Sequence, residues 1–362
     1  MMNTTVEKPG LYGLKNSNRN FADPDCWGKN QFNNTFPAAL CCYMRDAKHA
    51  ANYISVTTGK PQISEIPFDL VFGTSLPNDK LKFLFEVPFD PYRSLVHEAM
   101  EKIDLVITEE ATGRYLTPLE IKLTTLPDNG TSSLSESEYG SEIVVRSATM
   151  RYVALGIASR LNAEQCESIK KLFLPVCGNI RDWSSVYEMR PKREAIFAAL
   201  DRFLLEYEAI QKPLVIQPVW KTKGKSPVLA DNCLDVFVWS DFALSRLMHT
   251  SCLDMGNEIS RPQRAALRLV RFLYEFVTQG RVFQIPIYDA MLFGNQGDKE
   301  FAYRGAQTHQ FMTCDRLTKP IVKRDEIKKI VLGGGHKFLS PERRFDAILF
   351  FSKDIFDDDE KV

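Results

Sequence analysis

Apolar and polar positions along the chain alternate between two periods. Residues 81–87 (Leu-Lys-Phe-Leu-Phe-Glu-Val) read as a strand, as do 214–219, 236–239 and 346–351, each a short apolar run rich in β-branched or aromatic residues. Helical spacing is found at 141–161, where Ile143, Val144, Val153 and Ile157 fall on one face, and again at 192–211 and 262–279. Gly280 is a natural stop for the last of these. Asp90 followed by Pro91 predicts a further helix start, with Tyr92, Leu95, Val96, Ala99, Met100 and Ile103 as its apolar face. Helices and strands interleave, which favours an α/β fold. The stretches 128–137 and 221–226, rich in Gly, Ser, Asn and Lys, read as loops rather than domain boundaries.

A hairpin follows the expected helix. Asp104-Leu-Val-Ile-Thr and Leu116-Thr-Pro-Leu-Glu-Ile-Lys-Leu-Thr are two strands around the turn Glu-Glu-Ala-Thr-Gly-Arg. With the turn centred on Thr112, Asp104 lies across from Glu120, about 4.5–5.5 Å away between Cβ atoms. Glu120 and Lys122 share one face of the second strand, and Leu119, Ile121 and Leu123 share the other, because side chains alternate with period two.

Composition narrows the class. The 362 residues carry 46 Lys and Arg against 46 Asp and Glu, so a polyanion must be met by a local patch and not by the overall field. Hydrophobic residues make up 44%, enough for one large core or two moderate ones, which excludes disorder for the bulk of the chain. Eight cysteines without a CxxC pair and five scattered histidines argue for reduced thiols and against a zinc cluster. With no signal peptide at the N-terminus and no apolar run of spanning length, a soluble, cytoplasmic protein with no membrane contact is expected.

Two carboxylates facing each other across a ladder repel unless a cation compensates, and a divalent ion taking hard oxygen ligands supplies that compensation. Lys122 then sits where it can orient an attacking water and neutralise charge growing on a phosphate. This is the outline of phosphodiester hydrolysis. The spacing alone also arises by chance, and a solvated hairpin with a surface Glu and Lys is the simpler account of it. Glu98 and Glu101 are candidates for a further acidic ligand, although a solvated helix face is their simpler reading.

Candidate DNA contacts lie elsewhere. Arg261, Arg264, Arg268 and Arg271 recur at steps of three and four, so on a helix they form a basic stripe suited to phosphates. Lys221 and Lys223 sit in the expected loop after Trp220. Asn30, Gln31 and Asn33 carry the amides that pair with adenine, and clustered Asn equally serves caps and turns.

Ile103-Asp104 followed by Pro118-Leu119-Glu120-Ile121-Lys122 resembles the PD-(D/E)XK nuclease signature. Two further blocks resemble the HindVP and HgiDI family of type II restriction endonucleases. One runs Gly-Leu-Tyr-Gly-Leu-Lys-Asn-Ser-Asn-Arg-Asn from Gly10 and resumes as Trp-Gly-Lys-Asn-Gln-Phe-Asn-Asn-Thr-Phe-Pro from Trp27; the other is Glu-Arg-Arg-Phe-Asp-Ala-Ile-Leu-Phe-Phe from Glu342. The resemblance implies a restriction-endonuclease-like core, a mixed sheet flanked by helices, with further helices and strands in the C-terminal half. It implies one endonuclease domain over 1–362, with the catalytic hairpin and its flanking helices at 81–161 and recognition and dimerisation additions at 190–362.

In activity, the resemblance implies a Mg²⁺-dependent endonuclease cutting both strands of double-stranded DNA at a short palindrome of the GRCGYC type, usually as a homodimer. Asp104 and Glu120 match the metal-binding carboxylates, the Ile121 carbonyl a further metal ligand, and Lys122 the catalytic lysine. A cognate DNA methyltransferase, protecting host DNA without a stable complex, is implied as the functional partner. Ile103 stands where the signature has proline. The rival readings are a repair or structure-specific nuclease of the same fold and a non-catalytic DNA-binding protein. A DNA methyltransferase, suggested by Asp90-Pro91-Tyr92, lacks the second proline and the glycine loop that chemistry needs.

Overall fold

The computed structural model describes residues 29–57, 60–121, 143–207, 261–283, 285–291 and 300–303, four short strands between 214 and 238, and positions 14, 16–18, 259 and 293. Its elements run α1 (Lys29–Asp46), β1 (Ala50–Thr57), β2 (Lys60–Pro67), α2 (Phe68–Phe72), β3 (Leu81–Val87), β4 (Ile103–Glu109), β5 (Tyr115–Leu119) and β6 (Ile143–Val145). They continue with α3 (Ser147–Ala158), α4 (Ala163–Cys177), α5 (Val186–Met189), α6 (Arg193–Glu206), β7 (Leu214–Gln217), β8 (Trp220–Lys223), β9 (Ser226–Leu229), β10 (Asp235–Val238), α7 (Arg261–Gln279), α8 (Ile285–Asp289) and β11 (Glu300–Tyr303). The chain is mixed α/β, as expected. Among the described residues every strand ladder is antiparallel, in four small sheets, so the single mixed sheet of the expectation is not seen there.

The sheet that carries the site is the meander β3-β4-β5. Leu81, Phe83 and Phe85 are buried while the residues between them are half-buried, as a two-residue period requires. Residues 16–18 lie along the outer edge of β3: the Phe83 N–H donates to the Asn16 carbonyl at 2.9 Å, and the Asn18 side chain both accepts from the Phe85 N–H and donates to its carbonyl. The edge is thereby covered. Gly113, with φ of 69°, takes the left-handed position of the β4–β5 turn, where its N–H donates to the Glu109 carbonyl.

The helix expected from Asp90 is corrected. Residues Asp90–Leu95 form a short 3₁₀ segment, and the backbone beyond it is claimed by a distant partner: the Val282 N–H donates to the Leu95 carbonyl at 2.9 Å, and the His97 N–H to the Val282 carbonyl at 3.2 Å. Asp90 caps no helix; its carboxylate accepts the Tyr115 hydroxyl at 2.9 Å. The helix expected over 141–161 begins only at Ser147, because the β-branched run Ile143-Val144-Val145 pairs with β11 instead. The helices at 192–211 and 262–279 are present as α6 and α7, and Gly280 closes α7 with φ of 76° and an N–H donated to the Phe276 carbonyl at 2.7 Å. Helix α4 opens on a capping box, with Asn162 and Gln165 each accepting the other's backbone N–H. The strand expected at 346–351 and the loop at 128–137 lie outside the described residues.

One buried cluster joins Ile103 and Val106 of β4 to α3, α4, α6 and α7. Helix α7 is its axis: residues 263–270 are all buried, the arginines included. No helix among the described residues is long and apolar enough to cross a membrane.

Candidate active site

The hairpin register places the two carboxylates as expected. Leu105 pairs with Leu119 and Val106 with Pro118, so the next step of the same register sets Asp104 opposite Glu120. The backbone ladder ends at Leu119, and there the Asp104 carboxylate takes over its work: Oδ2 accepts the Ile121 N–H at 2.7 Å. Leu105, Leu119 and Ile121 are buried, while Asp104 and Glu120 are half-buried. Val106, on the Asp104 face, is buried as well, so the two carboxylates keep partial exposure only at the open end of the hairpin. Lys122 lies outside the described residues.

Helix α3 supplies a wall that the sequence pattern did not announce. The Thr149 hydroxyl donates to Glu120 Oε1 at 3.1 Å. Two residues on, the Arg151 guanidinium, 1% exposed, is ion-paired with Glu101, and the Tyr152 hydroxyl donates to the Glu101 carbonyl. The same hydroxyl accepts the Phe89 N–H at 3.3 Å. Burial pushes the Tyr152 hydroxyl well above the ordinary phenol range, and the charges of Glu101 and Glu120 push it the same way, so it remains a donor. Glu101 is therefore the half-buried partner of the buried Arg151 and not a solvated helix face; Glu98 is exposed.

Asp104, Glu120 and the Ile121 carbonyl are hard oxygen donors of the kind a small divalent cation takes, with water and a phosphate oxygen filling its other positions. No group of three His, Cys, Asp or Glu converges among the described residues. The donor set thus fits Mg²⁺ or a similar ion that keeps much of its hydration, and not a cage made wholly of side chains.

The basic stripe is corrected. Arg264 and Arg268 are 2% and 0% exposed, the first donating to the Ile259 carbonyl and the second to the carbonyls of Tyr288 and Met291 at 2.9 and 3.1 Å. Arg271 is paired with Glu275 at 3.1 Å and lies over the rings of Trp183 and Tyr288. These guanidiniums satisfy carbonyls and a carboxylate inside the protein and do not offer a row to phosphates. Arg261 opens α7, and Asn30, Gln31 and Asn33 lie in the first turns of α1; their side chains are outside the description. Lys221 and Lys223 belong to β8 of the β8–β9 hairpin, opposite Val228 and Ser226, and not to a loop. Of the elements that carry these groups, α1 packs against β3 and β4.

Comparison with known proteins gives this geometry its context. The family model for the HindVP restriction endonuclease matches residues 27–356. The chain is 36% identical over 354 residues to the type II restriction enzyme HgiDI of Herpetosiphon aurantiacus, covering 98% of both chains. It is 38% identical over 351 residues to the probable type II restriction enzyme HindVP of Haemophilus influenzae, covering 96% of this chain and 95% of that one. No solved structure matches. The likeness puts the chain in the class of restriction endonucleases, enzymes that cut DNA at specific sites. It belongs to the HindVP restriction endonuclease family.

Proposed function

We propose that this protein is a Mg²⁺-dependent type II endonuclease of the PD-(D/E)XK kind that hydrolyses phosphodiester bonds in both strands of double-stranded DNA at a short palindrome, of the GRCGYC type that the family resemblance implies. The observation that supports it best is the register that sets Asp104 across from Glu120 at the end of an otherwise apolar hairpin. Two such carboxylates are a poor arrangement for stability alone, since like charges directly opposite are destabilising.

Asp104, Glu120 and the Ile121 carbonyl hold the cation, whose chemistry is to polarise the scissile phosphate. Asp104 also fixes the Ile121 backbone through its N–H, so the two ends of the hairpin move together. Lys122, which the resemblance matches to the catalytic lysine, neutralises charge developing at phosphorus and steadies the attacking water. The new bond joins that water's oxygen to phosphorus while the water gives up a proton to solvent; the bond from phosphorus to the leaving deoxyribose oxygen breaks, and that oxygen takes up a proton from solvent. A palindrome presents two scissile bonds related by a two-fold axis, so a homodimer places one such hairpin at each. Segment 81–161 carries the chemistry, and 190–362 is assigned to recognition and dimerisation within the one domain. A cognate methyltransferase completes the system as a separate protein.

The test is cleavage of unmethylated phage DNA with Mg²⁺ or with chelator. Discrete Mg²⁺-dependent fragments support the reading. A smear returns the chain to a less specific nuclease, and intact DNA to a binding protein.

A further inference from the structure

Glu101 stands two residues before β4 and Glu120 directly after β5, so both lie at one end of the hairpin, and one turn of α3 holds both. Thr149, 5% exposed, donates to Glu120; Arg151, 1% exposed, is paired with Glu101; Tyr152, 3% exposed, holds the Glu101 carbonyl. We propose that this turn is the positioning element of the site, and that the Thr149 hydroxyl fixes the Glu120 carboxylate in the orientation a divalent cation requires.

Glu120 follows the last paired residue of β5, so the ladder no longer constrains it, and its long side chain has several rotamers to choose among. The buried threonine narrows that freedom, because its χ1 has few states in a helix and its hydroxyl is donated to Glu120 Oε1. The helix itself has to be immobile for this to work. The Glu101–Arg151 pair does that: it binds α3 to the segment leading into Asp104 across 50 residues of sequence. Among the described residues, the buried atoms Arg151 Nε and Nη2 and Glu101 Oε2 meet no hydrogen-bond partner. An ion pair left partly unsatisfied in the interior is a weak device for stability. Its effect here is directional, since it sets the height of the turn against the hairpin end. Groups that hydrogen-bond a metal's ligands orient them, and their loss costs about 10- to 100-fold in metal affinity or activity.

The proposal rests on the function given above, and its test separates the two. Thr149→Val keeps shape and burial while deleting the donor, Thr149→Ser restores the donor, and Glu120→Ala removes the carboxylate itself. Three quantities are read on the full-length protein: the Mg²⁺ concentration giving half-maximal cleavage, Mg²⁺ binding to the DNA-free protein by calorimetry, and the thermal midpoint without metal. The expected result is that Thr149→Val raises the half-saturating Mg²⁺ about tenfold and weakens calorimetric binding in parallel. Thr149→Ser then returns both toward the wild-type values, and the midpoints stay close together. The role for Thr149 is overturned if Thr149→Val matches wild type in Mg²⁺ dependence, or if it loses midpoint and rate together while Thr149→Ser gives no rescue. If Glu120→Ala still cleaves with unaltered Mg²⁺ dependence, the metal-site reading itself falls, and Thr149 with it.

Discussion

The Asp104 carboxylate accepts the backbone N–H of Ile121 at 2.7 Å, so a side chain from the start of β4 completes the ladder where β5 ends. One residue thereby serves as both a structural acceptor and a candidate metal ligand. Asp104→Asn keeps an oxygen for the Ile121 N–H and removes the charge. The expected outcome is a fold with near wild-type thermal stability and a cleavage rate lower by at least about a hundredfold. Parallel melting and single-turnover cleavage measure the two effects separately. Asp104→Ala, which deletes the acceptor as well, is expected to melt earlier than Asp104→Asn.

Arg268 gives a contrasting case, since the sequence pattern offers it to DNA and the structure spends it on the carbonyls of Tyr288 and Met291. Arg268→Met takes a charged donor from two buried carbonyls in the packed axis of the molecule, of which that of Tyr288 keeps the Met291 N–H. The loss expected is about 3 kcal/mol of folding stability, the scale for hydrogen bonds from a charged donor. At a temperature where the variant remains folded, the salt dependence of DNA binding should match wild type, because no phosphate contact has been removed. A shallower salt slope in Arg268→Met would return the residue to the DNA interface.

The loop before α5 has a defined acid response. Glu188 accepts the backbone N–H groups of Asp182 and Arg181, and the Asp182 bond chiefly holds its carboxyl below the usual glutamate value. Asp182 is lowered in turn by the hydroxyl and backbone N–H of Ser184. A depressed folded pKa contributes stability that is present above the unfolded value and lost as pH falls through the folded one. Glu188→Gln is therefore expected to be less stable than wild type at neutral pH, with the difference closing as pH falls below the ordinary glutamate pKa of 4.5. Urea unfolding across that range reads the convergence; a gap that widens in acid would contradict the assignment.

Thiol chemistry reports the packing of α1 and α4. Burial pushes the thiols of Cys41 and Cys177 up to about 12, and Cys42 is raised by burial and by its neighbour Cys41. Cys166 is raised too, but is only half-buried. At pH 8 the folded protein should be alkylated at Cys166 well before Cys41, Cys42 or Cys177, because the thiolate is the reactive form. Peptide mass mapping after timed iodoacetamide treatment gives the order, and early labelling of Cys177 would show that α4 does not pack as described.

Local signals and distant ones explain what the sequence made legible. The hairpin register could be read because the turn is short, Gly113 supplies its left-handed position, and the partners are close in sequence. Pairing of Leu95 and His97 with Val282 spans just over half the chain, and no local pattern around Asp90 encodes it. Arg264 and Arg268 misled for a related reason: step-of-four spacing marks one face of α7, but whether that face meets solvent depends on what packs over it, and here Ile259, Tyr288 and Met291 do. Thr149 carried no signal because its partner lies 29 residues upstream in another element. The capping box at Asn162 and Gln165 was locally encoded and marks the start of a helix that apolar spacing alone does not single out.

The central claim is that Asp104, Glu120 and Lys122 form a metal-dependent phosphodiesterase site. Purified wild type, Glu120→Ala and Lys122→Ala are incubated with unmethylated phage DNA, with Mg²⁺ and with chelator, and the products are resolved on a gel. The account predicts discrete fragments from the wild type with Mg²⁺ alone, and intact DNA from both folded variants. Cleavage by Glu120→Ala or Lys122→Ala at the wild-type rate would contradict it.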